Sequence, residues 1–478
     1  MTAIRTERDS LGTKEIPAGV YYGIQTARAI ENFRISGMKA HPTLIRAIAM
    51  VKQAAAEANQ TLGLVDARRA GAIIAAAKEV QEGRWNDQFM VDVFQAGAGV
   101  SFHMNANEVI ANRATELLGG RLGEYLVHPN DHVNYGQSTN DVFPTSMRLA
   151  ALLELEELHR VLGSLADAFS AKATEFHNIL KSGRTHMQDA VPIRLGQEFA
   201  AYSEAVCRCR LQIEQQSELL REIGLGGSAV GTGINTHPDY RVQAVADLSR
   251  ISGQRVSPVD DMRYAMQSNL AMSSLSGALR NLALEVIRIS NDLRLLSSGP
   301  NTGFAEISLP ALQPGSSIMP GKINPVMPEL AAMVSFQVIG NDTAVTFAVQ
   351  AGQLELNVMM PTMAYSVLQS ITIMTNMLRQ FTALCVAGIA ANSDRCEYYV
   401  HRTVSLATAL NPYIGYAKAA EIAKESIRTG RSIIDLARSS GYLSEEQIRQ
   451  ILDPGRMVEP ARPLESASNR DTPHTGKR

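Results

Sequence analysis

Apolar residues recur at steps of three and four along most of this chain. The longest run is Leu275, Leu279, Leu282, Val286, Ile289, Leu293 and Leu296. Its steps alternate between four and three, a period of 3.5, which predicts a helix lying along a coiled-coil-like partner. Gly299-Pro300 then stops it. The same spacing predicts helices from Pro42 to Ala58, from Ala67 to Glu82 and from Thr145 to Lys181, the last striped by Leu155, Leu158, Leu162, Leu165 and Phe169. Further helical patterns run from beyond Pro192 to Glu222, from Met327 to Val349 and from Pro361 to Ala387. Helices of roughly thirty residues exceed the ordinary globular length, so the middle of the chain reads as a bundle that several chains can share. Beyond Ser393 the pattern shortens into a small helical domain ending near Leu452, followed by a proline-rich tail expected to be mobile.

Polar inserts interrupt this pattern. Gly315-Ser316-Ser317-Ile318-Met319-Pro320-Gly321-Lys322-Ile323-Asn324-Pro325 holds two prolines and cannot lie inside a helix or a central strand. It carries hydroxyls, an ammonium and a carboxamide but no acid. It is either a plain connector or a loop that holds an anion through Lys322, its hydroxyls and its backbone N–H groups. It is not a nucleotide P-loop, because Ile323 stands where Ser or Thr must hold magnesium. Gln137-Ser138-Thr139-Asn140-Asp141 suits a helix N-cap, and the donor-rich start of a helix is also an anion site. Gly183-Arg184-Thr185-His186-Met187-Gln188-Asp189 offers His186 either as acid, base or substrate contact, or as a solvated loop histidine. Gln95 to Glu108 combines glycines, which let the backbone approach something closely, with several amides. Gly224-Leu225-Gly226-Gly227 superficially matches a dinucleotide fingerprint but follows a helical pattern rather than a strand, and is discounted.

Composition narrows the class. The 478 residues, 45% hydrophobic and 19% charged, suffice for two or three domains with a large core. A net charge of −2 supplies no field that would recruit nucleic acid or anionic membrane. No apolar run is long enough to cross a bilayer, and residues 1–7 lack the apolar core of a signal peptide, so the cytoplasm is expected. The four cysteines read as reduced thiols; Cys207 and Cys209, two apart on a helix, make a poor metal pair.

Taken together, the inserts at Gln137–Asp141, Gly183–Asp189 and Gly315–Pro325 resemble the aspartase/fumarase superfamily, and the last is similar to its signature loop nearly residue for residue. The resemblance covers Glu7 to Leu452. Within that superfamily Tyr21-Tyr22-Gly23-Ile24-Gln25-Thr26-Ala27-Arg28, Thr139 and Gly352-Gln353-Leu354-Glu355-Leu356-Asn357-Val358 resemble the ammonia-lyases acting on aspartate more than the fumarases. The resemblance implies a mostly α, three-domain fold. Residues 1–140 would form an N-terminal helical domain, 141–392 a central long-helix bundle carrying the mobile loop 315–325, 393–453 a small C-terminal domain, and 454–478 a flexible tail. It also implies a homotetramer with active sites shared by three subunits and a small dicarboxylic substrate.

By the same resemblance Ser316 is the base. Ser138, Thr139 and Ser317 surround the β-carboxylate, Lys322 and Asn324 hold the α-carboxylate, and Asn140, Thr185 and His186 face the amino group. No cofactor is expected, because the β-carboxylate is itself the electron sink. Some family members respond to Mg2+, but no dedicated metal-ligand cluster stands out here. Three positions depart from the pattern. Val100, beside Ser101, replaces a carboxylate-binding Thr; His103 replaces Asn; and Met360 stands where Glu is frequent. Besides aspartate deamination, the resemblance allows hydration of fumarate or release of fumarate from a related C4 amino acid. A non-catalytic structural relative is the remote alternative, disfavoured by the joint presence of Ser316, Lys322, Asn324, Thr185 and His186.

Overall fold

The computed structural model describes residues 3–460. The chain opens with an antiparallel hairpin, β1 (Ile4–Asp9) and β2 (Gly12–Pro17), followed by α1 (Ile24–Asn32), α2 (Pro42–Thr61), α3 (Ala67–Gln81) and α4 (Val100–Leu117). Next come the long helix α5 (Thr139–Glu175), a second antiparallel hairpin of β3 (Leu180–Thr185) and β4 (Gln188–Arg194), and α6 (Leu195–Ser217). Beyond these lie α7 (Tyr240–Ser252), α8 (Met262–Gln267), and the long helices α9 (Leu270–Leu296), α10 (Val326–Gln350) and α11 (Met360–Leu384). The chain closes with short helices from α12 (Ser393–Val400) onward, the last being Glu445–Ile451. Described strands occur only in two-stranded sheets, so the fold is mostly α, as its periodicity predicts. No described helix is long and apolar enough to cross a membrane.

Two compact units divide the described chain. One comprises residues 3–163, 208–287 and 330–379; the other comprises 164–207, 288–329 and 380–460. The long helices α5, α6, α9, α10 and α11 each contribute to both. In the first unit α2 packs against α3 and α7, and α3 against α4. The inner face of α2 is largely alanine, with Ala47, Ala54, Ala55 and Ala58 fully buried, and small side chains let the helices approach closely. In the second unit the C-terminal segment has its own core of Leu406, Leu410, Ile422, Ile433, Leu436, Ile448 and Ile451. Its last helix is started by a capping box in which the Ser444 hydroxyl and the Gln447 side chain each bond the other's backbone N–H. Pro454–Arg456 forms a short 3-10 turn, and residues 461–478 of the predicted tail lie outside the described residues.

Three differences from the periodicity are informative. The helix expected from Thr145 begins at Thr139, with Pro144 inside it. Proline reads as a breaker, but anchoring of Ser138 and Asp141 starts the helix upstream of it. The same helix ends at Glu175, because residues from Leu180 onward are drawn into the hairpin with β4, where Leu180 pairs with Arg194. Finally, all seven residues of the 275–296 stripe are buried within the chain itself. An apolar face is instead left uncovered on α10, where Met333, Phe336 and Phe347 are 59%, 59% and 66% exposed.

Candidate active site

In the first unit the predicted residues gather at two helix starts. Val100 opens α4 after Gly97, Ala98 and Gly99, all at positive φ. A Cβ on Gly99 would lie 2.3 Å from Cδ2 of Phe143, so glycine is required there by close approach as well as by φ +91°. Gln95 Oε1 accepts from the Phe102 amide at 2.9 Å and satisfies one of the orphan donors of α4. Val100 is exposed and Ser101 half-buried. At the start of α5 the Ser138 hydroxyl accepts from the Asn140 amide at 3.2 Å, while the Ser138 amide donates to Asp141 Oδ1 at 2.9 Å. The capping role is therefore real. The Asn140 side chain donates to the Ala229 carbonyl at 2.8 Å, which leaves one amide hydrogen and its oxygen for another partner.

Behind Thr139 lies a buried polar chain. Thr139 Oγ1 is 2.6 Å from His103 Nδ1, and His103 Nε2 is 2.6 Å from Lys52 Nζ. Lys52, in the middle of α2, is 0% exposed. It also reaches Asn134 Oδ1 at 3.0 Å and Gln137 Oε1 at 2.9 Å. Both amides donate to backbone carbonyls, Asn134 to Gln137 and Gln137 to Val133 and Tyr135, which fixes their oxygens toward the lysine. Nearby Asp141 accepts from the Gly226 and Ser228 amides at 3.0 Å each, giving the glycine-rich segment a structural task. Burial raises the Asp141 carboxyl to about 6, against the opposing pull of those amides and of Lys52. Burial also drives Lys52 well below its ordinary range, partly offset by Asp141, and drives His103 well below its own, aided by the charge of Lys52.

In the second unit the loop 315–325 is closed at its neck. The Gly315 amide donates to the Lys322 carbonyl at 2.7 Å, and the Asn324 side chain donates to the Gly315 carbonyl at 2.8 Å. A Cβ on Gly315 would stand 2.6 Å from that Lys322 carbonyl, so this glycine is needed for the closure. Within the loop Ser316 Oγ accepts two backbone hydrogens, from Ile318 at 3.2 Å and Met319 at 3.0 Å. Ser317 and Lys322 are exposed, and so are the apolar side chains of Ile318, at 83%, and Ile323.

Thr185 and His186 occupy the tip of the β3–β4 hairpin. Thr185 pairs with Gln188, so His186 and Met187 form a two-residue turn, at φ +55° and +61°. A type I′ turn needs left-handed backbone at both central positions and favours Asn or Gly. Here a histidine and a methionine are held there, both exposed. The strand beneath is anchored by Arg184, which pairs with buried Glu306 at 2.9 Å and stacks on Phe304 at 4.2 Å. Lys181 pairs with Glu306 at 3.2 Å and Glu198 at 2.8 Å.

Thus Ser138, Thr139, Asn140, Val100 and Ser101 belong to one unit, and Ser316, Ser317, Lys322, Asn324, Thr185 and His186 to the other. Met360 is buried as the first residue of α11. The residue that sequence reasoning missed is Lys52. Its signal was present: it takes an inner-face position in the series Ile45, Ile48, Lys52, Ala55. A cavity of about 340 Å³ in the first unit, lined by His41, Phe102, Phe143, Tyr365, Leu368 and Thr372 among others, contains none of the predicted residues. Among the described residues no group of three or more His, Cys, Asp or Glu side chains is arranged to hold a metal ion.

Comparison with known proteins bears on this arrangement. The sequence profile of a family described as Lyase matches residues 12–340, and that of the Fumarase C C-terminus matches 406–459. The chain is 50% identical over 457 residues to an aspartate ammonia-lyase of Bacillus subtilis (strain 168), covering 95% of this chain and 96% of that one. It is also 50% identical over 455 residues to a class II fumarate hydratase of Halobacterium salinarum, covering 95% and 97%. Its fold matches a crystal structure of fumarate lyase:delta crystallin from Brucella melitensis bound to cobalt, with a TM-score of 0.93 and 48% identity over 96% of this chain and 100% of that one.

Proposed function

Since this chain belongs to the aspartase/fumarase family of lyases, we propose that it deaminates L-aspartate reversibly to fumarate and ammonia, with Ser316 as the base. Seven aspartate ammonia-lyases at 46–50% identity over nearly the whole chain support the substrate. The observation that carries the mechanism is the pair of backbone N–H groups on Ser316 Oγ. A serine is a poor base in water. Donors aimed at its oxygen stabilise the alkoxide, and closure of the loop on substrate expels the water that would compete.

The alkoxide takes the proton from the carbon beside the β-carboxylate, whose electrons pass into that carboxylate to form a dianionic aci-carboxylate. Collapse of this intermediate expels ammonia. The second negative charge must be stabilised as it forms, and preorganised donors contribute about 3–4 kcal/mol each. Ser138, Thr139 and Ser317 supply hydroxyls for it. Lys322 and Asn324 hold the α-carboxylate, Asn324 with the hydrogen not spent on the loop neck. Asn140, Thr185 and His186 receive the amino group. The β-carboxylate is the electron sink, so the reading calls for no cofactor, and Mg2+ enters only as an effector to be tested.

We further propose a homotetramer whose sites combine residues of three subunits. The uncovered apolar face of α10 and the exposed Ile318 and Ile323 of the loop support it, since such surface is ordinarily covered. All four cysteines are free thiols, in keeping with a cytoplasmic enzyme. The test is fumarate release followed by ultraviolet absorbance, with L-aspartate and L-malate offered separately, with and without Mg2+. Fumarate with ammonia from aspartate alone supports the reading. Fumarate from malate alone makes the chain a fumarate hydratase, the second reading, which the equally similar Halobacterium relative favours.

A further inference from the structure

We infer that His103 is a positioning residue that sets the direction of the Thr139 hydroxyl, and that the protonation state of Lys52 sets His103. The inference rests on the proposed reaction only for the role of Thr139 toward the substrate carboxylate; the chain itself is read from geometry.

Two of the three hydrogen bonds of Lys52 have a fixed sense. Asn134 and Gln137 spend their amide hydrogens on backbone carbonyls, so each offers Lys52 an oxygen, and Lys52 must donate to both. Only the third bond, to His103 Nε2, can run either way. As an ammonium, Lys52 donates its third hydrogen to Nε2. His103 then carries its proton on Nδ1 and donates to Thr139 Oγ1, so the Thr139 hydrogen is free to point outward. As a neutral amine, Lys52 offers a lone pair to Nε2–H. Nδ1 then accepts, and the Thr139 hydroxyl turns inward to donate to it. Each state satisfies every group in the buried chain. The change between them is one proton: Lys52 passes it to Nε2, Nδ1 passes its own to Thr139 Oγ1, and Thr139 releases its former hydrogen to water.

Only the first state leaves Thr139 a donor toward a carboxylate. The groups that govern the switch are few. Asp141, at the start of α5, is the carboxylate acting on Lys52; Tyr240 of α7 faces Asp141 in turn; His103 comes from α4. Burial of Lys52 brings the switch down from the ordinary lysine range, and burial, aided by the adjacent ammonium, keeps His103 from becoming an imidazolium. An asparagine at 103 has no ring proton to relay: with Lys52 charged, an amide turned oxygen toward the lysine and N–H toward Thr139 leaves the hydroxyl a donor, and only rotation of the whole amide reverses that. A leucine breaks the chain altogether.

The experiment combines kinetics with a readout independent of turnover. For the intact protein, kcat/KM for aspartate should fall with unit slope at high pH. H103N should retain turnover within about tenfold at the low-pH plateau and shift or lose that limb, whereas H103L should lose about 10–100-fold, as expected when a buried partner is left unsatisfied. Magic-angle-spinning NMR of sedimented, 15N-histidine-labelled protein should show one imidazole, missing in H103N, whose proton moves from Nδ1 to Nε2 as pH rises. A single tautomer throughout, or an imidazolium, overturns the inference, as does an H103N profile identical to that of the unmodified enzyme. If aspartate yields no fumarate, the functional reading fails while the tautomer exchange still decides the switch.

Discussion

Ser316 Oγ lies 3.0 Å from the backbone nitrogen of Met319 and accepts its hydrogen, with Ile318 supplying a second N–H at 3.2 Å. Short-range bonds from a serine hydroxyl to the next amides are common in turns. Here the same bonds hold the oxygen in the setting an alkoxide needs, so one local motif both shapes the loop and suits Ser316 to the proposed role of base.

Ser316→Ala is therefore expected to abolish fumarate release from aspartate, by at least about a thousandfold if the serine is the base. Oligomeric state and thermal transition should be unchanged, because the residue is part of a largely exposed loop. Turnover within tenfold of the unmodified enzyme would remove Ser316 from that role.

Val100 is exposed at the first turn of α4, where the family resemblance implies a hydroxyl donor to a substrate carboxylate. Val100→Thr keeps the branched shape and adds that donor. A charge-assisted bond contributes about 1.5–3 kcal/mol, so kcat/KM for aspartate should rise about tenfold or more. No change would mean that position 100 does not touch the substrate.

Asp92 holds the segment leading to α4. Burial pushes its carboxyl up, but the amides of Phe94, Ser36 and Gly37 and the Ser36 hydroxyl outweigh burial and hold it at about 2. The folded value lies below the ordinary 3.8. The carboxylate thus contributes stability that is fully present above about pH 4 and lost as pH falls through 2. Asp92→Asn should cost about 2 kcal/mol at pH 7, and denaturant titrations should show that gap closing between pH 4 and 2. An undiminished gap at pH 2.5 would assign the cost to packing instead.

Phe336 stands midway along the uncovered face of α10. Phe336→Glu places a charge where the proposed subunit contact would bury it, which costs several kcal/mol per contact. Light scattering should then report species smaller than the unmodified assembly. An unaltered mass would place the subunit interface elsewhere.

Much of this architecture was legible beforehand because helix formation and apolar periodicity are local. The intervals Pro42–Thr61, Ala67–Gln81, Val326–Gln350 and Met360–Leu384 fall within three residues of where their patterns start and stop. The signature loop, the polar start of α5 and the His186 tip were likewise visible as polar breaks. Less visible was the β3–β4 hairpin. Its turn residues, His186 and Met187, are poor type I′ formers, and its register shifts between Ser182 and Arg184, so neither turn chemistry nor alternation announced it.

By itself, then, the sequence determined the long helices, the breaks between them and the chemical groups those breaks present, since each depends on residues a few positions apart. Tertiary structure alone decided that the 275–296 stripe is covered within the chain while one apolar face of α10 is not. It also decided that Lys52 is buried among Asn134, Gln137 and His103, 82, 85 and 51 positions away along the chain. A buried charge is tolerated only where distant elements deliver its hydrogen-bond partners, and no local pattern records which elements those are.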